Sequence, residues 1–241
     1  VKRAKELNMP AVGITDHGNM HGAYEMWSTA VKEGVKPIIG IEAYVTPETA
    51  RQDQTRVSWD TNWNPDIDPQ HRRRNPNDVS GGGLITHLTM WAETDEGLVN
   101  LMKASTDANL EGRVMRYPRM DKEILAKYSK GIIASSGCPS GIIQTRLLLG
   151  QFDEALRAAG ELQDIFGRDN FYIEFMDHGL KIEKQVTDGL LDIAKKLNAP
   201  LLATNDSHYV RAEDAGSQDA MLCINSGSTL DEPGRFKFDG T

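Results

Sequence analysis

Six short apolar runs in this 241-residue chain each carry, or lead directly into, a residue of the kind that binds cations. Ala11 to Thr15 runs into Asp16-His17, and Pro37 to Ile41 runs into Glu42. Leu84 to Trp91 holds His87, and Gly131 to Gly137 runs into Cys138. Phe171 to Met176 meets Asp177-His178, and Pro200 to Thr204 precedes Asp206 and His208. Runs of this length bounded by turn residues are read as buried strands. Helical periodicity fills the intervals, at residues 20–33, 95–109, 120–129, 140–149, 151–167, 182–197 and 212–225, with Ala23, Trp27, Ala30 and Val31 on one face of the first of these. Alternation of this kind predicts the α/β class with a parallel sheet. In barrels of that class the site forms at the C-terminal strand ends. Residues i and i+2 of a strand share a face, so Asp206 and His208 are expected to aim together from the tip of the last strand.

The tip residues His17, Glu42, His87, Cys138, Asp206 and His208 make a set of imidazoles, carboxylates and one thiol. That mixture suits Zn²⁺, Mn²⁺ or Fe²⁺ better than Mg²⁺ or Ca²⁺ alone. Six donors exceed the need of one tetrahedral ion, which points to two or more ions sharing carboxylates. Such clusters activate a water and clamp the oxygens of a phosphoester during in-line displacement. Taken singly, each residue has a plainer reading as a hydrogen-bonded strand-end group, and Cys138 as a small buried hydrophobe. Spacing alone leaves both readings open. Asp16 is expected to orient His17 rather than to ligate directly, His21 to lie at the surface or behind the ligands, and His178 to contact substrate, orient a ligand or pack its loop. Cys223 falls on an apolar helix face and is expected in the core.

Composition narrows the class. Apolar content of 39% and charged content of 26% fit an ordinary globular protein, and no window approaches a membrane span. The net charge of −8 disfavours nucleic-acid binding by bulk charge and leaves room for a local site. Two cysteines make no disulfide framework, and with no visible signal peptide a reducing, cytoplasmic setting is expected. Residues 47–83 hold Trp59, Trp63, four of the ten prolines, His71, the basic run Arg72-Arg73-Arg74 and a triple glycine. This stretch is too long and polar for an ordinary connection and reads as a loop excursion, mobile over the surface. The chain opens in helical sequence without a cap and stops just after a strand-like alternation at 235–238, so a piece of a longer polypeptide is expected.

Asp16-His17-Gly18-Asn19-Met20, Gly40-Ile41-Glu42-Ala43-Tyr44, Thr86-His87-Leu88-Thr89, Ser136-Gly137-Cys138-Pro139-Ser140-Gly141 and Asn205-Asp206-Ser207-His208-Tyr209 occur in this order. Together they resemble the PHP (polymerase and histidinol phosphatase) domain of bacterial DNA polymerase III alpha subunits, closest to the actinobacterial type. Met176 to Leu180 and Leu222-Cys223-Ile224 match that subunit better than a free-standing phosphatase. The resemblance implies a distorted (β/α)7 barrel of PHP type whose first strand is missing from this chain. It implies one domain over 1–241, partial at its N-terminus, with 228–241 leading toward the polymerase palm.

The resemblance also implies a centre of two to three divalent ions (Zn, Mn or Fe) on His17, Glu42, His87, Cys138, Asp206 and His208. Of these, His17, Asp206 and His208 would be catalytic. The family's His-x-His pair and an Asp, which would complete nine ligands, lie outside this sequence. The implied activity is a metal-dependent 3′→5′ exonuclease that proofreads the primer 3′ end. Mg²⁺-dependent polymerization would belong to the parent chain, with DNA and further polymerase subunits such as the sliding clamp as partners, and no membrane. The alternatives are a non-catalytic structural or docking module and a small-molecule phosphatase of the same superfamily.

Overall fold

The computed structural model describes residues 1–60, 62, 75, 78–233, 235 and 237. Its strands are β1 (Ala11–His17), β2 (Lys36–Val45), β3 (Thr86–Ala92), β4 (Arg113–Val114), β5 (Tyr117–Met120), β6 (Ile132–Ser135), β7 (Phe171–Phe175) and β8 (Leu201–Ala203). Its helices are α1 (Lys2–Glu6), α2 (Ala23–Glu33), α3 (Ser80–Gly83), α4 (Asp95–Glu111), α5 (Lys122–Tyr128), α6 (Ile142–Leu148), α7 (Phe152–Phe166), α8 (Lys181–Leu197) and α9 (Ala215–Ser226). All six expected strands form. The short hairpin of β4 and β5 was not expected, because its residues lack an apolar run. No helix among the described residues is long and apolar enough to cross a membrane.

β2 is the hub of the sheet. β1 pairs with it in parallel, from Ala11 opposite Lys36 to His17 opposite Glu42. β5 takes the same edge further along, with Tyr44 opposite Arg119. β3 occupies the other edge, and here the expected parallel sheet is corrected: β3 runs antiparallel to β2 and to β6. β6, β7 and β8 are then parallel to one another. The reversal follows from the connection. An antiparallel neighbour needs no helical crossover, and the segment between Val45 and Thr86 returns the chain to the end of β2 that it has just left. The ladder path runs β2–β3–β6–β7–β8, and among the described residues no ladder joins β1 to β8. The sheet nevertheless curls, because the His17 ring at the end of β1 lies 6.2 Å from the ring of His208, which follows β8.

The core sits between this sheet and its helices. Ala155, Ala158, Ala159, Leu162 and Phe166 of α7 recur at helical spacing and are all buried, as are Val186, Leu190, Ile193 and Ala194 of α8. They cover Phe171 and Ile173 of β7, both fully buried. The valine, leucine, isoleucine and phenylalanine side chains among them each contribute about 1.5–3 kcal/mol by leaving water. The face expected for α2 is corrected: only Ala30 is buried, whereas Trp27 and Val31 remain about half exposed. α4 starts close against β6, where a Cβ on Gly97 would fall 1.7 Å from the Gly131 carbonyl oxygen.

The excursion is tied down where it is described. Trp59 and Val79 are buried, and Arg146 stacks its guanidinium 3.8 Å from the centre of the Trp59 ring. Arg119, fully buried, donates to the carbonyls of Arg51 (2.6 Å), Asp53 (2.9 Å), Gly112 (3.2 Å) and Leu84 (3.3 Å). The ends of the segment are therefore anchored rather than loose over the surface. Trp63, His71 and Arg72-Arg73-Arg74 lie outside the described residues. At the other end of the chain, Arg235 pairs with Asp219 at 2.6 Å.

Asp121 caps α5, accepting from the Ile124 backbone N–H at 3.1 Å, and takes both the Arg51 backbone N–H and its guanidinium at 3.0 Å. Burial alone would raise this carboxyl, but the bonds from Ile124 and Arg51 outweigh it and hold the pKa below the ordinary aspartate value. A depressed folded-state pKa adds stability above the unfolded pKa, and that stability is lost as pH falls below about 4. Asp121→Ala is expected to cost about 2 kcal/mol at pH 7. In urea titrations the gap between wild type and variant should narrow between about pH 5 and pH 3, and a gap independent of pH would contradict this role.

Candidate metal centre

Strand register brings the first three donors together. His17 lies opposite Glu42 across the parallel β1–β2 ladder, and His87 lies opposite Tyr44 across the antiparallel β2–β3 ladder. Directly paired residues share a face, as do residues two apart on one strand. His17, Glu42, Tyr44 and His87 therefore occupy one face. Because β3 is reversed, its beginning meets the end of β2, which is how a histidine at the start of a strand joins residues at the tips of others.

Glu42 is the centre of the group, with its side chain nearly buried. Its Oε1 lies 2.6 Å from His87 Nδ1, and its Oε2 lies 3.3 Å from His17 Nδ1. One donor atom from each of His17, Glu42 and His87 falls within 4.8 Å of the other two. The Tyr44 ring stacks on His17 at 5.9 Å with an interplanar angle of 4° and meets His87 edge-on at 5.5 Å. Cys138 arrives from the loop after β6, its Sγ 3.4 Å from both Glu42 Oε1 and His87 Nδ1. That loop is held against β3, since the His87 N–H donates to Ser140 O at 3.0 Å and Gln144 Nε2 donates to Gly137 O at 2.7 Å.

Asp206 and His208 approach from the other side, though not as a strand pair. β8 stops at Ala203, and Asp206 sits in the left-handed region at φ 41°. The expectation that both side chains leave one face of a strand is therefore corrected: a loop delivers them. A loop of Asn, Asp and Ser has local side-chain hydrogen bonding available in place of a ladder. His208 Nδ1 lies 2.7 Å from the Asp206 carbonyl, which can only accept, so Nδ1 carries the hydrogen and in the neutral ring the lone pair falls on Nε2.

The electrostatics of the group fit a cation. Burial raises Glu42, but the hydrogen bond and charge of His87, with the charge of His17, bring it below the ordinary glutamate value. Burial raises Asp206, and repulsion from Glu42 adds to it. Burial likewise pushes the Cys138 thiol well above its usual value, with Glu42 and Asp206 adding to the effect. Two carboxylates and a thiol crowded with imidazoles form a donor set whose surplus negative charge a divalent ion offsets.

The remaining sequence candidates divide. Asp16 points its Oδ2 at the Gly22 N–H, 2.6 Å away, and shapes the turn after β1 rather than touching His17. His21 is exposed, and Cys223 is buried. His178 is held by Glu183, Nδ1 to Oε1 at 2.6 Å. Two buried carboxylates escaped the sequence reading. Glu183 moulds the turn at 178–180, and Glu174 accepts from Ser135 and, at 2.5 Å, from Thr204, tying β6 and β7 to the base of the Asp206 loop. The signal for Glu174 was a charged residue at an inward position of the apolar run Phe171-Tyr172-Ile173-Glu174-Phe175.

Comparison with known proteins identifies the family. The family profile of the PHP domain matches residues 1–178. A DNA polymerase III subunit alpha of Mycobacterium tuberculosis (strain ATCC 25618 / H37Rv) is 52% identical over 236 residues, covering 98% of this chain and 19% of that protein. The corresponding subunit of Saccharopolyspora erythraea is 53% identical over 237 residues, with the same coverage. That of Treponema pallidum is 37% identical over 238 residues, covering 99% of this chain and 18% of that protein. The chain thus spans about a fifth of the length of the curated relatives it matches. With most of its length under the family profile and about half of its residues shared with the PHP region of actinobacterial DNA polymerase III alpha subunits, the chain belongs to the PHP domain family.

Proposed function

We propose that this chain is the phosphodiesterase module of a replicative DNA polymerase, a metal-dependent 3′→5′ exonuclease that removes mispaired nucleotides from a primer 3′ end. The observation that carries this reading is the convergence of His17, His87 and Cys138, from separate strands and loops, on Glu42. The relatives' polymerase identity supplies the substrate class, DNA. Polymerization, its Mg²⁺ and the other polymerase subunits belong to the remainder of such a protein.

His17, Glu42, His87 and Cys138 would hold the ions, with Asp206 and His208 completing the set from the loop after β8. Two to three ions of the zinc, manganese or iron type, when bound, supply charge neutralisation at the phosphodiester oxygens and a water of lowered pKa. The protein's own contribution is orientation. Tyr44 fixes the plane of His17, Glu42 fixes His87, and the Asp206 carbonyl fixes the tautomer of His208. The site has a closed floor and an open side: the Glu42 side chain is 7% exposed, whereas those of His17 and Asp206 are 47% and 31% exposed. A phosphodiester enters over His17, Asp206 and His208, which places these three nearest the reacting phosphate. An accessible position of this kind is what separates a catalytic from a purely structural metal set.

Two outcomes follow for the full-length polypeptide loaded with Mn²⁺ or Zn²⁺. His208→Ala is expected to lower the rate of degradation of a 3′-mismatched primer by about two to three orders of magnitude while polymerization and melting temperature stay near wild type. Parallel loss of melting temperature and polymerization would favour the structural module instead. The second outcome concerns protons. Because Cys138 is protonated before it binds, ion uptake should release its proton, and affinity should rise with pH. Calorimetry in buffers of different ionisation enthalpy should register this release, and Cys138→Ser should diminish it; identical release from both proteins would remove Cys138 from the ligand set.

A further inference from the structure

Next to the metal centre lies a second concavity, a cleft of about 540 Å³. It opens between the turns that follow three consecutive parallel strands: Pro139 after β6, Met176 to Leu180 after β7, and Asn205 to Tyr209 after β8. Asp206 and His208 line it, whereas His17, Glu42, His87 and Cys138 do not. The two loop donors are therefore the common wall between the centre and the cleft. Whatever occupies the cleft lies within reach of the groups nearest the reacting phosphate.

The chemistry of the cleft is divided. Pro139, Met176 and Leu180 give it an apolar wall, while the Asn205 to Tyr209 loop gives a polar one with an aromatic ring. The turn bearing the apolar wall is rigidly seated. Glu183, 5% exposed, accepts from the His178 N–H at 2.7 Å and from the Leu180 N–H at 3.3 Å, and its other oxygen takes His178 Nδ1 at 2.6 Å. The hydrogen bond to Glu183 also raises His178 above the ordinary histidine value, and Asp177 and Asp206 line the cleft beside it. A cleft of this volume falls in the range of pockets for one small ligand, about 300–1,000 Å³. It holds a single nucleoside rather than a run of strand.

We propose that this cleft is the pocket for the terminal nucleoside of the DNA strand, with base and sugar against Pro139, Met176 and Leu180 and the scissile phosphate at the Asp206 and His208 edge. The proposal rests on the phosphodiesterase reading above and adds to it a place for the departing nucleotide. A pocket for one nucleoside beside the reacting phosphate makes the activity act from a strand end. The apolar wall offers surface to any base without hydrogen-bond readout, which suits removal of whichever nucleotide is mispaired.

The test uses the full-length protein loaded with Mn²⁺, with dAMP, dTMP and inorganic phosphate as probes in isothermal titration calorimetry. Both nucleotides should bind about ten-fold or more tighter than phosphate, through apolar area buried in the cleft. Leu180→Trp, which fills the cleft, should abolish that margin, leave phosphate affinity unchanged and raise KM for a mismatched primer more than it lowers kcat. Met176→Ala, a smaller change that keeps the fold, should weaken nucleotide binding several-fold. Nucleotides binding no tighter than phosphate, or both variants keeping wild-type nucleotide affinity, would overturn the proposal. Primer cleavage with unchanged KM in both variants would remove the pocket and leave the phosphodiesterase standing. Nucleotide binding that is lost in Leu180→Trp, in a protein that degrades no primer, would support the pocket and remove the exonuclease.

Discussion

The contact between Glu42 and His87 is the constraint on which the site depends. It joins a parallel half of the sheet, β1 with β2, to the reversed strand β3. A carboxylate so nearly buried is costly unless its oxygens are satisfied. Here His87 and His17 satisfy them, and Cys138 closes over the same oxygen that His87 holds. Register, burial and charge thus support one another: removing His87 would leave both a buried carboxylate short of a partner and the loop after β6 without its contact. The turn bearing Cys138 rests on this contact, with Sγ 3.4 Å from both Glu42 Oε1 and His87 Nδ1.

Much of this was legible in the residues. Apolar runs marked six of the eight strands, and the repetition of donor types at their ends marked the six candidates before any geometry was known. What could not be read was direction. Nothing in Thr86 to Ala92 marks it as antiparallel, because this strand is covered on both faces and so lacks the apolar–polar alternation of an antiparallel strand with one wet face. The reversal is a property of the long connection before it. The loop bearing Asp206 was misread for a related reason. An apolar run predicts that a strand exists but sets its end only loosely, and β8 is three residues long. The β4–β5 hairpin stayed hidden because it is held by Arg119 and its carbonyl partners rather than by an apolar pattern.

Carboxylates divide the labour in this fold by their surroundings. Glu42 and Asp206 face each other's charge across the candidate centre and are pushed in opposite directions, Glu42 down and Asp206 up. Glu174 lies beneath them, raised by burial, and takes two hydroxyl donors instead of an imidazole. Glu183 is committed to backbone N–H groups and to His178. Only the first pair is placed to meet a cation. Glu183 instead holds the turn after β7, and Glu174 holds Thr204 at the base of the loop that carries Asp206, so the placement of Asp206 depends on a carboxylate outside the donor set.

Arg119 has a consequence of a different kind. Its guanidinium grips Arg51 and Asp53 on one side and Leu84 on the other, so the two stems of the long connection are held at a set separation inside the protein. Chain inserted or removed between those stems changes the closure entropy only slowly, by about 0.6 kcal/mol for a doubling of loop length. The clamp therefore insulates β3, and His87 with it, from the length of what lies between. A change of chain length between those stems would leave the register of His17, Glu42 and His87 in place.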